Sequence, residues 1–370
     1  MYLTRLNLDN FKNYKEAGLQ FSDKINCLVG DNGAGKTNVL DAIYYLSFCK
    51  SYFNPIDSQN ILHQSDYFAI HGFYQNQQNL EDKVSCIQKR NKKKQFRFNK
   101  KDYDRLADHI GKIPLVMISP YDRDLINDGS ELRRKYIDGV ISQFDKFYLT
   151  DLLDYNRVLQ QRNILLKHFS ESGHFDALSL SIWDEKLVEL GENLYAKRKA
   201  FLQDFNPLFD EYYRYLSRGS ETVLIRYSSQ LDKAPLADLL RSSLQKDRML
   251  RYTSSGIHKD DLLMTIDGFP VKKFGSQGQQ KSFVIAIKLA QFEYTRLKMG
   301  FKPILLLDDI FDKLDDKRVS QIVELVSTEN FGQVFITDTQ AQRIQSIFDK
   351  IDISHKIFSV NHGQVTVNGQ

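Results

Sequence analysis

Gly30, Asp31, Asn32, Gly33, Ala34, Gly35, Lys36 and Thr37 spell the pattern G-x-x-x-x-G-K-[ST], whose spacing is that of a phosphate-cradling loop. Glycines let the backbone fold back so that successive N–H groups converge on an anion. A lysine at this place reaches the β- and γ-phosphates of a nucleoside triphosphate, and the threonine hydroxyl ligates Mg²⁺. A second pair of chemical residues, Asp308 and Asp309, closes the apolar run Leu305-Leu306-Leu307. A carboxylate at the carboxyl end of a buried strand stands at the sheet edge where such loops hold phosphate. Asp308 is therefore expected to hold Mg²⁺, and Asp309 to orient or deprotonate the attacking water. Ser276, Gly278 and Gln279 form a third group, a small polar turn opening a helix, where unpaired amides suit an anion.

These residues need particular elements to position them. Ile25-Asn26-Cys27-Leu28-Val29 reads as a buried strand before the loop, and Val39, Leu40, Ile43 and Leu46 keep helical spacing after it. Residues 2–8 and 16–21 read as antiparallel strands, with further strands at 68–74 and 83–89. From Glu131 to about Leu216 strand patterns stop. Helices are expected at 148–168, 176–205 and 237–251, with Gly173 and Pro207 as punctuation. Ile182, Trp183, Leu187, Leu190, Leu194 and Phe201 form the expected apolar stripe of the second helix. Strands return at 222–227, 261–266, 303–307 and 333–337, with helices from Ser276, at 316–327 and at 341–348. Alternation of strand and helix around the loop implies parallel pairing and an α/β fold.

The chain has 370 residues, 42% apolar and 26% charged, with net charge +4. That length accommodates two domains, or one nucleotide-binding domain with a large insertion. Its longest apolar runs are too short to cross a bilayer, so no membrane partner is expected. Three cysteines without metal spacing point to reduced thiols and a cytoplasmic setting. The stretch from Lys89 to Lys101 is strongly basic. It reads as a solvated hairpin with Phe96 and Phe98 toward the core, or alternatively as a contact for a nucleic-acid backbone.

The turn around Ser276 resembles the signature sequence of the ATP-binding-cassette superfamily, which contacts the γ-phosphate held by a partner head. More than half of the chain separates it from Lys36, unlike transporter cassettes, and no sustained heptad run fills the gap. The remaining branch is the RecF family, and the similarity runs almost end to end. It is carried by Leu8-Asp9-Asn10-Phe11-Lys12-Asn13-Tyr14, by Gly33 to Leu46, and by Ser119-Pro120 with Gly129 and Arg133 to Asp138. His258-Lys259-Asp260-Asp261-Leu262 and Leu307 to Asp315 carry the rest. Lys12, Lys259 and Lys281 stand where that family usually has arginine, and Asp41 where it usually has glutamate. Ile336-Thr337-Asp338-Thr339 occupies the place of the cassette histidine switch, so Thr337 or Asp338 takes over that position.

The resemblance implies an ABC-type (Rad50-like) ATPase head with a helical arm insertion and no long coiled coil. Residues 1–120 and 252–370 would form the head (lobe I), and 121–251 the arm (lobe II). It adds Lys12, Asn13 and Asn38 to the nucleotide-binding residues, and ATP with Mg²⁺ as cofactors. It further implies an ATP-dependent homodimer that binds gapped, double- and single-stranded DNA, works with RecO and RecR, promotes RecA loading, and hydrolyses ATP slowly. Two other classes share parts of the pattern: a soluble transporter cassette and an overcoming-lysogenisation (OLD) type ATPase/nuclease.

Overall fold

The computed structural model describes residues 1–217, 219, 221–311, 316–348 and 354–367; residues 312–315, the end of the acidic motif, lie outside the described residues. The opening elements are β1 (Tyr2–Phe11), β2 (Tyr14–Gln20), β3 (Ile25–Val29), α1 (Lys36–Phe48), β4 (Tyr67–Gln75), β5 (Glu81–Lys89), β6 (Gln95–Phe98), β7 (Lys101–Asp102) and β8 (Leu115–Ile118). A helical stretch follows: α2 (Asp124–Asn127), α3 (Ser130–Ile141), α4 (Lys146–Ser172), α5 (Ala177–Ser217), β9 (Val223–Ser228) and α6 (Leu236–Leu250). Then come β10 (Asp261–Ile266), β11 (Phe269–Pro270), α7 (Val271–Phe274), α8 (Gln277–Met299), β12 (Ile304–Leu307), α9 (Asp316–Ser327), β13 (Val334–Asp338), α10 (Ala341–Phe348), β14 (His355–Asn361) and β15 (Gln364–Val367).

Two compact units divide the chain: Met1–Tyr121 with Gln291–Gln370, and Asp122–Ala290. Residues 252–290, grouped with the head by sequence, pack within the second unit.

The first unit is built on two six-stranded sheets. One is antiparallel, in the order β2-β1-β4-β5-β6-β7; the other runs β15-β14-β3-β13-β12-β8. In the second sheet β14, β3, β13, β12 and β8 are parallel, and only β15 is antiparallel. Parallel strands covered on both faces read as unbroken apolar runs, and β3, β12 and β8 are buried at every position. A single apolar cluster joins Leu6 and Phe68 of one sheet, Leu115, Leu306 and Phe335 of the other, and Val39, Ile43 and Leu46 of α1. In α9, Val319, Ile322, Val323 and Val326 are buried at helical spacing. A register shift between Leu3 and Arg5 lets both Leu3 and Leu6 face the core, although three positions apart. One inserted residue in an antiparallel pair does this.

In the second unit β11, β10 and β9 form a small sheet, and α5 is far longer than sequence suggests. Pro207 does not end it. Proline removes one intrahelical bond and crowds the preceding turn, but neighbouring Asn206 locks the site. Its Nδ2 donates to Leu202 O and Ile225 O, both at 2.9 Å, and its Oδ1 accepts from Ile225 N at 3.0 Å. Phe205, Phe209 and Tyr213 are buried on either side of the proline. The apolar stripe also differs: Leu180, Leu187, Leu194 and Phe201 are buried, but Ile182 is 53% exposed. Two arginines that sequence did not single out lie inside this stripe region. Arg162 is wholly buried, 2.5 Å from Asp184 and 2.7 Å from Asp247. Arg198 is paired with Asp138 at 2.8 Å and donates to Ile257 O at 3.1 Å.

Candidate nucleotide-binding site

β3 ends at Val29, and the chain turns through the glycine loop into α1. Gly30 passes so close to β14 that a Cβ there would sit 2.2 Å from Val360 O. Gly35 caps α1 with φ of 120°, and its Cβ would meet the Asn13 amide and Tyr14 hydroxyl within 3.0 Å. Neither position accepts a side chain without moving its neighbours. The loop is braced from the turn between β1 and β2 and from the start of β2: Asn13 Nδ2 donates to Ala34 O at 3.1 Å, and Tyr14 OH donates to Gly35 O at 3.0 Å. Asn38 Nδ2 in turn donates to Asn13 Oδ1 at 2.7 Å. Gly363 N, in the turn between β14 and β15, also donates to Ala34 O. No side chain caps α1 and no acidic residue occupies its first turn, so its N-terminal amides keep their partial positive charge for an anion.

The charged residues meet at this loop. Lys36 is buried, and its Nζ donates to Gly30 O at 2.6 Å and Asp31 O at 2.9 Å. Burial pushes its pKa down, against the opposing pull of Asp309, Asp308, Asp338 and Asp31. Thr37 Oγ1 donates to Asp308 Oδ1 at 2.8 Å. The same carboxylate oxygen accepts from Thr337 Oγ1 at 3.0 Å, and Thr337 Oγ1 accepts from Asp309 N at 2.8 Å. Asp308 is pushed up to about 6, chiefly by burial; the Thr37 and Thr337 hydroxyls, with Lys36, pull the other way. Asp309 takes the left-handed backbone region with φ of 48°, which turns it out of the line of β12. Of the two candidates for the histidine-switch place, Thr337 ties the two acidic residues together. Asp338 instead pairs with Arg343 at 3.0 Å and accepts from Gln340 N.

These residues fit the groups expected here. Among the described residues the hydrogen bonds of the Lys36 ammonium go to carbonyls of its own loop, which phosphate oxygens would replace. The hydroxyl and carboxylate that would share Mg²⁺ already converge, and the raised Asp308 marks a buried oxygen donor that a cation would relieve.

Gly30 to Asn38, Asn13, Asp308 and Asp309 therefore lie together in one place. Lys12 sits apart, on Asp41 at 2.6 Å. Asp41 also accepts from Ser51 Oγ at 2.6 Å and Tyr52 N at 2.7 Å, so Lys12 neutralises a fully buried carboxylate one turn into α1. Ser276, Gly278 and Gln279 belong to the second unit. There Ser276 N donates to Gln279 Oε1 at 2.7 Å and Gln279 N to Ser276 Oγ at 3.2 Å, a reciprocal cap on α8. Gln279 Nε2 also donates to Glu221 at 2.7 Å, while Ser276 is exposed. Tyr14 was not legible as a loop brace, because a hydroxyl reaching a distant carbonyl leaves no sequence pattern.

Comparison with known proteins fits this geometry. The profile of the family described as RecF/RecN/SMC N terminal domain matches residues 2–366. A DNA replication and repair protein RecF of Flavobacterium johnsoniae is 52% identical over 97% of this chain and 100% of that protein. This chain belongs to the RecF family. Its RecF relative in Phocaeicola vulgatus is 50% identical over 99% of this chain and 98% of that protein. Among solved structures, a recombination mediator protein RecF with ATP, in the RecFOR pathway, superposes with TM-score 0.90 at 31% identity, covering 99% of this chain and 97% of that one. An Smc head solved with the C-winged helix domain of ScpA gives TM-score 0.60 at 17% identity over 99% of this chain and 97% of that one. That likeness shows the shared ABC-type head fold, without a long coiled coil among the described residues. No helix among the described residues is long and apolar enough to cross a membrane.

Proposed function

We propose that this chain is an ATP-switched, DNA-binding recombination mediator whose heads dimerise around nucleotide. The observation that carries the reading is the meeting of Thr37 and Asp308 at the mouth of an uncapped phosphate loop. Lys36 leaves the Gly30 and Asp31 carbonyls and follows the β- and γ-phosphates. The α1 N-terminus and the loop amides hold the phosphate chain, while Asn13 and Tyr14 keep the loop in shape. Thr37 and Asp308 would hold Mg²⁺, which when bound would supply neutralisation of phosphate charge. Asp309, aimed by its left-handed backbone and by the bond from its N–H to Thr337, orients the attacking water and takes its proton.

The signature turn has the form that serves a partner's nucleotide. Ser276 is exposed on a capped helix N-terminus, so two chains would each present Ser276 and Gly278 to the other's γ-phosphate. In this reading the head comprises residues 1–120 and 252–370, the arm 121–251, and hydrolysis releases dimer and DNA. The relatives named for replication, repair and the RecFOR pathway support placing it at single-strand gaps, where it promotes RecA loading with RecO and RecR in the cytoplasm. DNA contact through phosphates implies steep salt dependence and little sequence preference.

Sedimentation with and without ATP tests the reading. The wild-type chain is expected to dimerise with ATP and Mg²⁺, and Lys36→Ala to stay monomeric; a Lys36→Ala dimer would overturn the sandwich. Incubation with gapped DNA, ATP and Mg²⁺ separates the rival enzyme: ATP-stimulated binding without cleavage fits the mediator, and cleavage the OLD-type nuclease.

A further inference from the structure

The antiparallel sheet of the first unit has a face turned away from the apolar cluster. On β5 the core-facing residues are Val84 and Cys86, which leaves Lys83, Ser85 and Ile87 to the other side of the pleat. Cross-strand pairing then sets His71 beside Ser85 and Ser85 beside Arg97. Together with Gln95 and Lys100, these side chains line a cavity of about 140 Å³.

Its lining is one-sided in charge. Lys83, Arg97 and Lys100 are cationic, His71 is titratable, and no carboxylate lines the cavity. Among the described residues Lys83 and Lys100 form no salt bridge, and the Lys83 ammonium lies 5.1 Å from the Phe73 ring centroid. Arg97 pairs with Asp102 at 2.8 Å, but both side chains are substantially exposed. Such a pair is worth little, and a guanidinium has donors to spare for a second anion. Ser85 Oγ and His71 Nδ1 stand 2.9 Å apart on the cavity wall. His71 is pushed below its ordinary value by burial and by Lys83, with Asp9 opposing. Among the described residues only Arg97 of the three cations has a carboxylate partner, Asp102, and Lys83 and Lys100 add positive charge beside it, which favours an anionic ligand. The volume far exceeds the roughly 10–15 Å³ that one water needs, which leaves room for a ligand larger than water.

We infer that this cavity is a binding site for the phosphate group of a phosphoester, held by Lys83, Arg97 and Lys100, with Ser85 donating a hydrogen bond to it while its oxygen accepts from His71 Nδ1–H. The group comes either from a nucleic-acid strand crossing the sheet face, a source that rests on the DNA-binding reading above, or from a free phosphate compound. The site is separate from the phosphate loop and from the hairpin tip at Lys92 and Lys93.

The experiment uses the full chain and the double variant Lys83→Gln/Lys100→Gln, with matching thermal melts as the check on folding. Inorganic phosphate is titrated while the His71 ring resonances are followed, a readout the phosphate loop does not influence directly. Gapped duplex DNA is titrated across a series of salt concentrations. Wild-type chain is expected to show a saturable His71 shift that weakens at least tenfold in the variant. If the strand is the source, the salt slope of DNA binding falls by about two in the variant; if it is unchanged while the phosphate response is lost, the source is a free phosphate compound. A wild type that binds phosphate at His71 but no DNA overturns the mediator reading and leaves the cavity assigned. Absence of any His71 response to phosphate, or an equal response in the double variant, overturns the proposal.

Discussion

Thr37 Oγ1 donates to Asp308 Oδ1 across 2.8 Å, although 271 positions separate them in sequence. The bond exists because β12 runs parallel beside β13, which runs parallel beside β3. The carboxyl ends of these strands therefore share one edge, and the residues that follow them meet. Around the bond, burial raises Asp308 to about 6, so the site holds a carboxylate in a setting that disfavours its charge.

The pH dependence of stability follows. The folded Asp308 pKa lies above its unfolded value of 3.8, so between about 4 and 6 the native state binds more protons than the unfolded state. Its contribution to stability is then most favourable below about 4 and is lost as pH rises through about 6. Nucleotide-free Asp308→Asn should melt higher than wild type at pH 7, by about 2–4 °C, with the gain fading toward pH 4. Addition of ATP with Mg²⁺ should reverse the ranking, since the amide is a poorer ligand. Thermal melts at pH 4.5 and 7, with ATP and either Mg²⁺ or a chelator, measure both effects. A variant that gains as much stability from Mg²⁺ in the presence of ATP as wild type does would remove Asp308 from the metal site.

Thr337 should act through its neighbours. Thr337→Val removes one of two hydroxyl donors to Asp308 and the hydroxyl that accepts from Asp309 N, a loss of about 1–3 kcal/mol where a buried partner is removed. The expected result is ATP turnover reduced roughly tenfold or more, by the conversion of about 1.4 kcal/mol per decade, with ATP affinity within a few-fold of wild type. Thr337→Ser, which keeps the hydroxyl, should restore turnover. Single-turnover kinetics beside equilibrium nucleotide binding separates the two quantities. A Val variant that loses affinity and turnover in equal measure would assign Thr337 to binding instead.

Legibility in sequence followed the range of the interaction. The loop, Asp308 and Asp309 were readable because their spacing and their adjoining apolar runs are local patterns. β3, α1, β12, β13 and α9 fell where period-2 and period-3.6 patterns put them, but β8, β14 and β15 of the same sheet were not read. The Lys12–Asp41 pair, the Tyr14 brace and the buried Arg162 and Arg198 were not readable, since each depends on partners brought together only by folding. Pro207 misled for a related reason: its helix-breaking tendency was visible, but the Asn206 bonds to Leu202 and Ile225 that offset it were not. Lys94 shows the same limit. Within the basic hairpin it looked like Lys92 and Lys93, yet its Nζ lies 2.7 Å from Asp57 Oδ2 and donates to Cys49 O at 2.6 Å.

That distinction divides the hairpin into two roles. Lys92→Ala/Lys93→Ala should leave the melting temperature within about 1 °C, consistent with exposed positions, and weaken DNA binding with a salt slope smaller by about two. Lys94→Ala should instead lower stability, because it leaves a buried carbonyl and Asp57 short of a partner. Denaturant unfolding and salt-series DNA titrations on both variants give the comparison. Unchanged DNA affinity in the Lys92/Lys93 variant would take the hairpin tip out of the DNA interface.

Arg198 offers the sharpest stability test of the second unit. It is 2% exposed, bonds bidentately to Asp138 and reaches Tyr148 OH at 2.9 Å and Ile257 O at 3.1 Å. Asp260, raised to about 6 by burial, lies 3.8 Å from its Nη1 and accepts a hydrogen bond from Tyr227 OH. Removing the guanidinium strips Asp138 of its ion pair and leaves Asp260 with Arg134 as its nearby cation, and breaking a buried pair costs about 3–5 kcal/mol. Arg198→Met keeps the length of the stem, so the loss reflects charge and hydrogen bonds more than volume. Adding Asp138→Asn to Arg198→Met should recover part of the loss, because the stranded charge is removed. Urea unfolding of the single and double variants reads the coupling directly. Strictly additive losses would mean that Arg198 and Asp138 stabilise the unit independently, and the ion pair would then be a contact without energetic consequence.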